Sequence, residues 1–267
     1  PSYAPFHIPK TDQVRLFTML IKNDMVPFAP EGEEVGQFDC GGINHGIYSR
    51  TDTDGYLILI GNTEGGSACA LLTDKYFTKC EASLYGDTAN RSFGLNNALM
   101  IAFAFAGAYH NIILMHSSVT MYKGGGHLFL GKSGTGKSTH SKGWLKYIEG
   151  TELLNDDNPA LRYLPETDEV KVYGTPWSGK TPCYKNQYVR VGGIVKLSQA
   201  PHNKLRKLSL PEAYAYILSS ASGLKVESKM TDSMHETIKH VVTHVGCYHL
   251  DCLPNTEAAE VCWECRV

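Results

Sequence analysis

Apolar and polar positions follow two different rhythms along the chain. From Arg15 to Lys79, glycine and aspartate interrupt short alternating segments, among them Arg15 to Ile21, Gly55 to Ile60 and Ala68 to Thr73. Alternation of this kind predicts strands of a mainly antiparallel sheet. Between Asn90 and His110 the period lengthens: Phe93, Leu95, Ala98, Leu99, Ala102, Phe103, Phe105 and Ala106 recur at helical intervals. The wealth of alanine and leucine there predicts a largely buried helix. Residues 111–122 and 127–130 then read as two strands joined by a turn at Gly124, Gly125 and Gly126. A helix is expected over 138–148 and a short strand over 152–154, ending at Asn155, Asp156 and Asp157. Later come a hairpin near 160–173, a strand over 189–197, helices over 211–219 and 231–245, and a closing strand and helix. No internal repeat or low-complexity segment interrupts the pattern.

Composition narrows the function classes. The 267 residues are 42% hydrophobic and 19% charged, an ordinary globular balance. Lys plus Arg number 25 against 27 Asp plus Glu, so no global field draws the chain to nucleic acid. The longest apolar stretches, near 98–108 and 111–115, are broken by polar residues and fall short of the ~20 needed to span a bilayer, so no membrane partner is expected. The opening residues read as a trimmed terminus rather than a secretory signal, and a cytoplasmic protein is expected. The eight cysteines are dispersed, which favours reduced thiols. Cys247, Cys252, Cys262 and Cys265 form a C-x4-C…C-x2-C series that is either four structural thiols or a zinc set.

One motif carries chemistry. Gly131-Lys132-Ser133-Gly134-Thr135-Gly136-Lys137-Ser138 matches G-x4-G-K-[ST] and lies between a predicted strand and a predicted helix. Glycines let successive backbone N–H groups and a helix N-terminus face a phosphate chain. In such a loop Gly131, Ser133, Gly134, Thr135, Gly136, Lys137, Ser138 and Thr139 are the candidate nucleotide-binding residues. Lys137 reaches the outer phosphates and the Ser138 hydroxyl ligates magnesium. The strand after the helix delivers Asp156 and Asp157, neighbours with different faces and therefore different jobs: one can hold magnesium, the other can accept a proton from an attacking hydroxyl. An Asx turn over Asn155 to Pro159 is a compatible, structural reading of the same residues.

The run MHSSV (Met115 to Val119), then HLFLGKSGTGKSTH, then LLNDDNP (Leu153 to Pro159), resembles the catalytic core shared by HPr kinase/phosphorylase and phosphoenolpyruvate carboxykinase. The order of elements fits the HPr kinase core better, and the resemblance covers about residues 111–197. It implies a mixed α/β fold with α+β elements: a carboxykinase-like P-loop kinase core over 111–267, preceded by a β-rich region over 1–110 that ends in the buried helix. It also implies that Asp156 is the acid/base, Asp157 the metal-associated carboxylate and His116 the histidine near that acid/base, with assembly into a homo-oligomer. HPr kinases share a Glu-x-Arg-Gly segment, whereas the comparable stretch here, Tyr188 to Ile194, has no Glu in place.

The expected activity is ATP- and magnesium-dependent transfer of the γ-phosphoryl group to a hydroxyl. A small metabolite is favoured as acceptor, because no basic docking stripe for an acidic partner is visible; a seryl protein is the alternative. A non-catalytic nucleotide sensor is the rival class, although it would not need the Asp pair. Two groups stay open between roles. His116 is either a strand histidine or part of the site. Lys180, closing the loop Gly174 to Lys180, either neutralises the transferred phosphoryl group or ends a rigid surface turn built on a buried Trp177. Lys132, His140 and Lys142 are open to a solvent-facing reading, and no catalytic role is assigned to them.

Overall fold

The computed structural model describes residues 2–22, 26–40, 43–179 and 181–263. They form two compact units, one of residues 11–110 with 223–233, the other of 1–10, 111–222 and 234–267. This partition differs from a simple division at 110/111 in two stretches: the first ten residues group with the later unit, and 223–233 group with the earlier one.

The earlier unit holds a six-stranded sheet made of β1 (Thr18–Lys22), β2 (Glu34–Cys40), β3 (Ile43–Ser49), β4 (Tyr56–Gly61), β5 (Ser67–Thr73) and β6 (Lys79–Leu84). The strand order is β1-β6-β5-β4-β3-β2. All neighbours pair antiparallel except β1 with β6, which are parallel. Helix α1 (Thr88–Ala108) packs on β4, β5 and β6. Its first turn is closed by the Asp87 side chain, which accepts from the Asn90 N–H at 2.9 Å. Alternate residues of β4 serve two faces: Leu57 and Leu59 cluster with Phe28, Tyr48 and Tyr85, while Tyr56 stacks on Phe77, which meets Phe105 of α1. A strand buried on both faces reads as a continuous apolar run, as Tyr56 to Ile60 does.

The later unit is built on nine strands: β7 (Ile112–Leu114), β8 (Ser117–Tyr122), β9 (Gly125–Leu130), β10 (Glu152–Asp157), β11 (Ala160–Leu164), β12 (Glu169–Tyr173), β13 (Tyr188–Gln199), β14 (Lys204–Lys207) and β15 (Cys247–Cys252). The main path runs β10-β8-β9-β13-β12-β11-β7, with β15 pairing β13 and β14. Five helices complete the described chain: α1 above, then α2 (Lys137–Tyr147), α3 (Leu210–Ser220), α4 (Ser228–His244) and α5 (Thr256–Cys262). The sheet is the middle of three layers. Leu128, Leu130 and Ile194 face Ile217 of α3 and Ile238 and Val241 of α4, whereas Phe129, Val195 and Leu197 face Trp144 of α2 and Ala259 of α5. The fold is therefore mixed α+β, with two sheets. Among the described residues no helix is long and apolar enough to cross a membrane.

Three features depart from the sequence expectation. The predicted 111–122 strand is two strands, because the Met115 and His116 N–H groups turn away to the carbonyls of Pro159 (3.0 Å) and Ser220 (2.8 Å). The turn between β8 and β9 is Lys123-Gly124, both with positive φ, the two-residue hairpin geometry that matches strand twist. Strand β10 continues through Asp157 instead of stopping at Leu154, with Asp156 opposite Ser118 and Asp157 opposite Ser117.

Candidate active site

Strand β9 runs into Gly131, and α2 starts at Lys137 with Gly136 as its N-cap. Gly136 has φ +106° and Gly134 φ +80°, and a Cβ at either would meet nothing within 4 Å. Backbone conformation, not crowding, is what demands glycine at these positions. The loop closes on itself through Thr135 N–H to Lys132 O at 3.1 Å. Lys137 is buried, and its Nζ donates to Gly131 O at 2.9 Å. Burial pulls the Lys137 pKa down, against the opposing pull of Asp157 and Asp156. Ser133 and Thr139 are exposed, and Ser138 is half-buried.

The aspartate pair is fixed from below by Asn155, which is fully buried. Its Nδ2 donates to Thr175 Oγ1 at 3.1 Å and to Trp177 O at 3.1 Å. Its Oδ1 accepts from the N–H groups of Asp157 and Asn158, each at 3.0 Å. That is the Asx turn, and it also ties the segment Gly174–Gly179 to β10. The Gly179 N–H donates to Asp156 O at 2.9 Å. A Cβ on Gly179 would come within 2.8 Å of that oxygen, so the close approach requires glycine. Trp177 is buried, as the rigid-turn reading expects, and its Nε1 donates to Tyr3 Oη at 3.1 Å.

The two carboxylates have different surroundings. Asp156 is 4% exposed, and among the described residues neither of its side-chain oxygens has a hydrogen-bond partner. Asp157 is half-buried, and its Oδ2 accepts from Asn158 Nδ2 at 2.8 Å. Burial pushes the Asp157 carboxyl above its ordinary value; His116 and Lys137 pull it down, and Asp156 pushes it further up. Lys137, His116 and the pair thus share one electrostatic neighbourhood, although they come from three places in the sequence. The two hydroxyls of Ser118 and Ser141, 2.6 Å apart, link β8 to α2 beside Asp156.

Other residues named from sequence fall differently. His116 lies exposed at the break between β7 and β8, not on a strand. His140 does not face solvent. It is 7% exposed, accepts from Trp144 Nε1 at 3.2 Å and meets the Phe129 ring, and burial pushes its pKa down to about 4. Lys132 and Lys142 are exposed. Lys180 and Cys265 lie outside the described residues. Cys247 and Cys262 are buried in different hydrophobic clusters, and burial pushes the Cys247 thiol up to about 12, far from a thiolate at neutral pH.

Sequence reasoning missed two residues beside the loop. Lys196, half-buried and in register with Leu130, has its pKa lowered by burial and by Lys132. Gln199 donates from Nε2 to Gly134 O at 3.2 Å. Both sit on β13, whose pairing to β9 is long-range, and no local signal marks them.

No family model matches the sequence, and no curated protein does. Among solved structures, the chain is similar to the Hpr(Ser) kinase/phosphatase from Coxiella burnetii, with 11% identity over 57% of this chain and 92% of that one, at a TM-score of 0.32. This is a distant structural likeness and brings neither substrate nor mechanism to the chain.

Proposed function

We propose that the protein is an ATP- and magnesium-dependent kinase of the HPr kinase-like kind, transferring the γ-phosphoryl group to the hydroxyl of a small metabolite. The observation that carries this reading is Asp156: a buried carboxylate with no hydrogen-bond partner for either oxygen among the described residues, in the same neighbourhood as Lys137 and Asp157. An unpaired buried carboxylate costs stability, and proteins retain such groups where chemistry uses them.

In this reading the loop Gly131 to Thr139 holds the triphosphate through backbone N–H groups and the α2 N-terminus. Lys137 leaves the Gly131 carbonyl for the phosphates. The Ser138 hydroxyl and the Asp157 carboxylate are hard oxygen donors that suit magnesium, which neutralises phosphate charge when bound. Asp156 takes the proton as the acceptor oxygen attacks the γ-phosphorus and the bond to the β-phosphate oxygen breaks, releasing ADP. Because Asp156 is buried, the acceptor reaches it only after a local opening. His116 biases Asp157 toward its ionised form.

The test incubates wild type and Asp156→Asn with γ-labelled ATP, magnesium and cell extract separated into metabolite and protein fractions. Label in a metabolite with wild type alone supports the reading. Label on a protein serine changes the acceptor class, and ATP binding without any transfer favours a nucleotide sensor. Lys137→Ala should weaken ATP binding about 10- to 100-fold, the value of a charge-assisted contact, measured by calorimetric titration; unchanged affinity would count against the loop.

A further inference from the structure

At the far end of the β11–β12 hairpin, three side chains unused by the kinase reading converge. Asp168 lies in the turn between the two strands, while His240 and His244, four residues apart near the end of α4, share one helix face. One potential ligand atom from each of the three lies within 4.8 Å of the others. Asp168 Oδ1 is 3.0 Å from His244 Nε2.

The surroundings hold each of these groups in place. His244 Nδ1 lies 2.7 Å from the His240 carbonyl oxygen, so that nitrogen carries the proton and donates. The opposite nitrogen, Nε2, is the one turned to Asp168. Once the proton shared with Asp168 leaves, an imidazole held in this way presents its lone pair at Nε2, as metal-binding histidines do when a carbonyl fixes the remote N–H. The Tyr163 ring stacks on His240 with centroids 3.9 Å apart and planes 8° from parallel. The Tyr163 hydroxyl donates to Asp168 Oδ1 at 2.8 Å. One tyrosine therefore orients both the second histidine and the carboxylate. Asp168 itself has φ +54°, a conformation that Gly or Asn adopts at least as readily, so the turn alone does not call for a carboxylate. An exposed His–Asp pair adds little stability and would leave the placement of His240 without a purpose.

We propose that Asp168, His240 and His244 form a binding site for a divalent transition cation of the zinc class. Two imidazoles with one carboxylate make a donor set that zinc favours, whereas magnesium and calcium prefer oxygen donors throughout. Three protein ligands leave one tetrahedral position for water or an outside ligand. The cation competes with the proton that His244 otherwise shares with Asp168, so binding releases protons. It also joins the hairpin turn to the end of α4. The five residues of β11, at about 3.3 Å each, separate this site from the aspartate pair, and the inference stands independently of the kinase reading.

The test titrates the chelator-treated full chain with zinc chloride by calorimetry at pH 7.5, then repeats with His240→Ala, His244→Ala and Asp168→Asn. One zinc per chain is expected, with affinity at least tenfold lower in each variant. Tyr163→Phe, which removes only the supporting hydroxyl, should cost about tenfold. Circular dichroism and ATP affinity should not change. No stoichiometric zinc in wild type, or equal affinity in all variants, overturns the site. Cobalt(II) substitution of wild type gives a readout that needs no variant: ligand-field bands without a sulfur-to-cobalt charge-transfer band support it, and such a band would place the metal on cysteines and overturn it.

Discussion

The six-stranded sheet and the nine-stranded sheet each bury a carboxylate, and they treat it in opposite ways. In the first unit Glu227 is 7% exposed and its Oε2 accepts from the Tyr56 hydroxyl at 2.8 Å. In the second, Asp156 is 4% exposed and has no partner for either oxygen among the described residues. Burial is alike and satisfaction is not. A partnered acid is part of the architecture; an unpartnered one keeps its lone pairs free for something that arrives later. The polar residues around them follow the same division. Ser117, Ser118, Thr120, Asn155 and Asp156 are all buried on β8 and β10, next to the glycine-rich loop, whereas β4 of the other sheet is buried through apolar side chains.

The largest expected effect breaks the comparison at Asp156. Asp156→Asn removes the proton acceptor and should lower phosphoryl transfer by about 10²- to 10⁴-fold, while ATP affinity stays within a few-fold. The same substitution removes a buried unpaired charge, so its urea midpoint should be equal to wild type or higher. A loss of transfer accompanied by a comparable loss of stability would make Asp156 a second Glu227, a structural acid whose partner had been misread.

How far the sequence foretold these sites depends on the range of the interactions involved. The glycine-rich loop, its flanking strand and helix, and the Asp pair are local in sequence, and the expected helix over 90–110 is α1 at 88–108. β6 (KCEASL) alternates polar and apolar residues along its length, whereas β2 and β3 lie in a stretch rich in glycine and polar residues. Their pairing partners, not their own side chains, make them strands. The parallel pairing of β1 with β6 joins residues about sixty apart in sequence, and nothing in either strand announces it. The strand pattern runs on through His116 without a break, because its backbone partner, Ser220, lies about a hundred residues away. The polar composition of α2 does not show that His140 is covered; only the packing of Trp144 and Phe129 reveals the covered face. The role of Asn155 as the tie between β10 and Thr175 was equally invisible.

His140 sharpens the comparison from within the second unit. It is buried beside the loop, yet it is partnered by Trp144, so it should behave as architecture. Its pKa falls to about 4 in the folded protein from an ordinary 6.5. With the folded value depressed, the neutral ring contributes stability that is present above pH 6.5 and is lost as pH falls toward 4. The gap corresponds to about 3 kcal/mol. Urea unfolding at pH 7.5 and 4.5 should show wild type losing about 2 to 3 kcal/mol more than His140→Gln, which keeps an acceptor for Trp144 but does not titrate. Phosphoryl transfer at pH 7.5 should be little changed in that variant. A variant that unfolds with the same pH dependence as wild type would remove His140 from the acid sensitivity altogether.

The smallest expected effect tests the partnered acid itself. Tyr56 is 8% exposed, and its ring lies parallel to Phe77 with centroids 5.4 Å apart. Burial, then the Glu227 carboxylate, raises its pKa, so the hydroxyl keeps its proton and donates throughout the neutral range. Tyr56→Phe preserves the ring stack and deletes only the donor, leaving Glu227 Oε2 buried without it. The cost should be about 1 to 3 kcal/mol in urea unfolding. Adding Glu227→Gln to that variant should return part of the loss, because an amide is cheaper to bury unpaired than a carboxylate. Neither change should alter transfer by more than a few-fold. If Tyr56→Phe instead leaves stability untouched while Asp156→Asn lowers it, satisfaction of a buried acid would no longer separate architecture from chemistry here, and the case for Asp156 would rest on transfer alone.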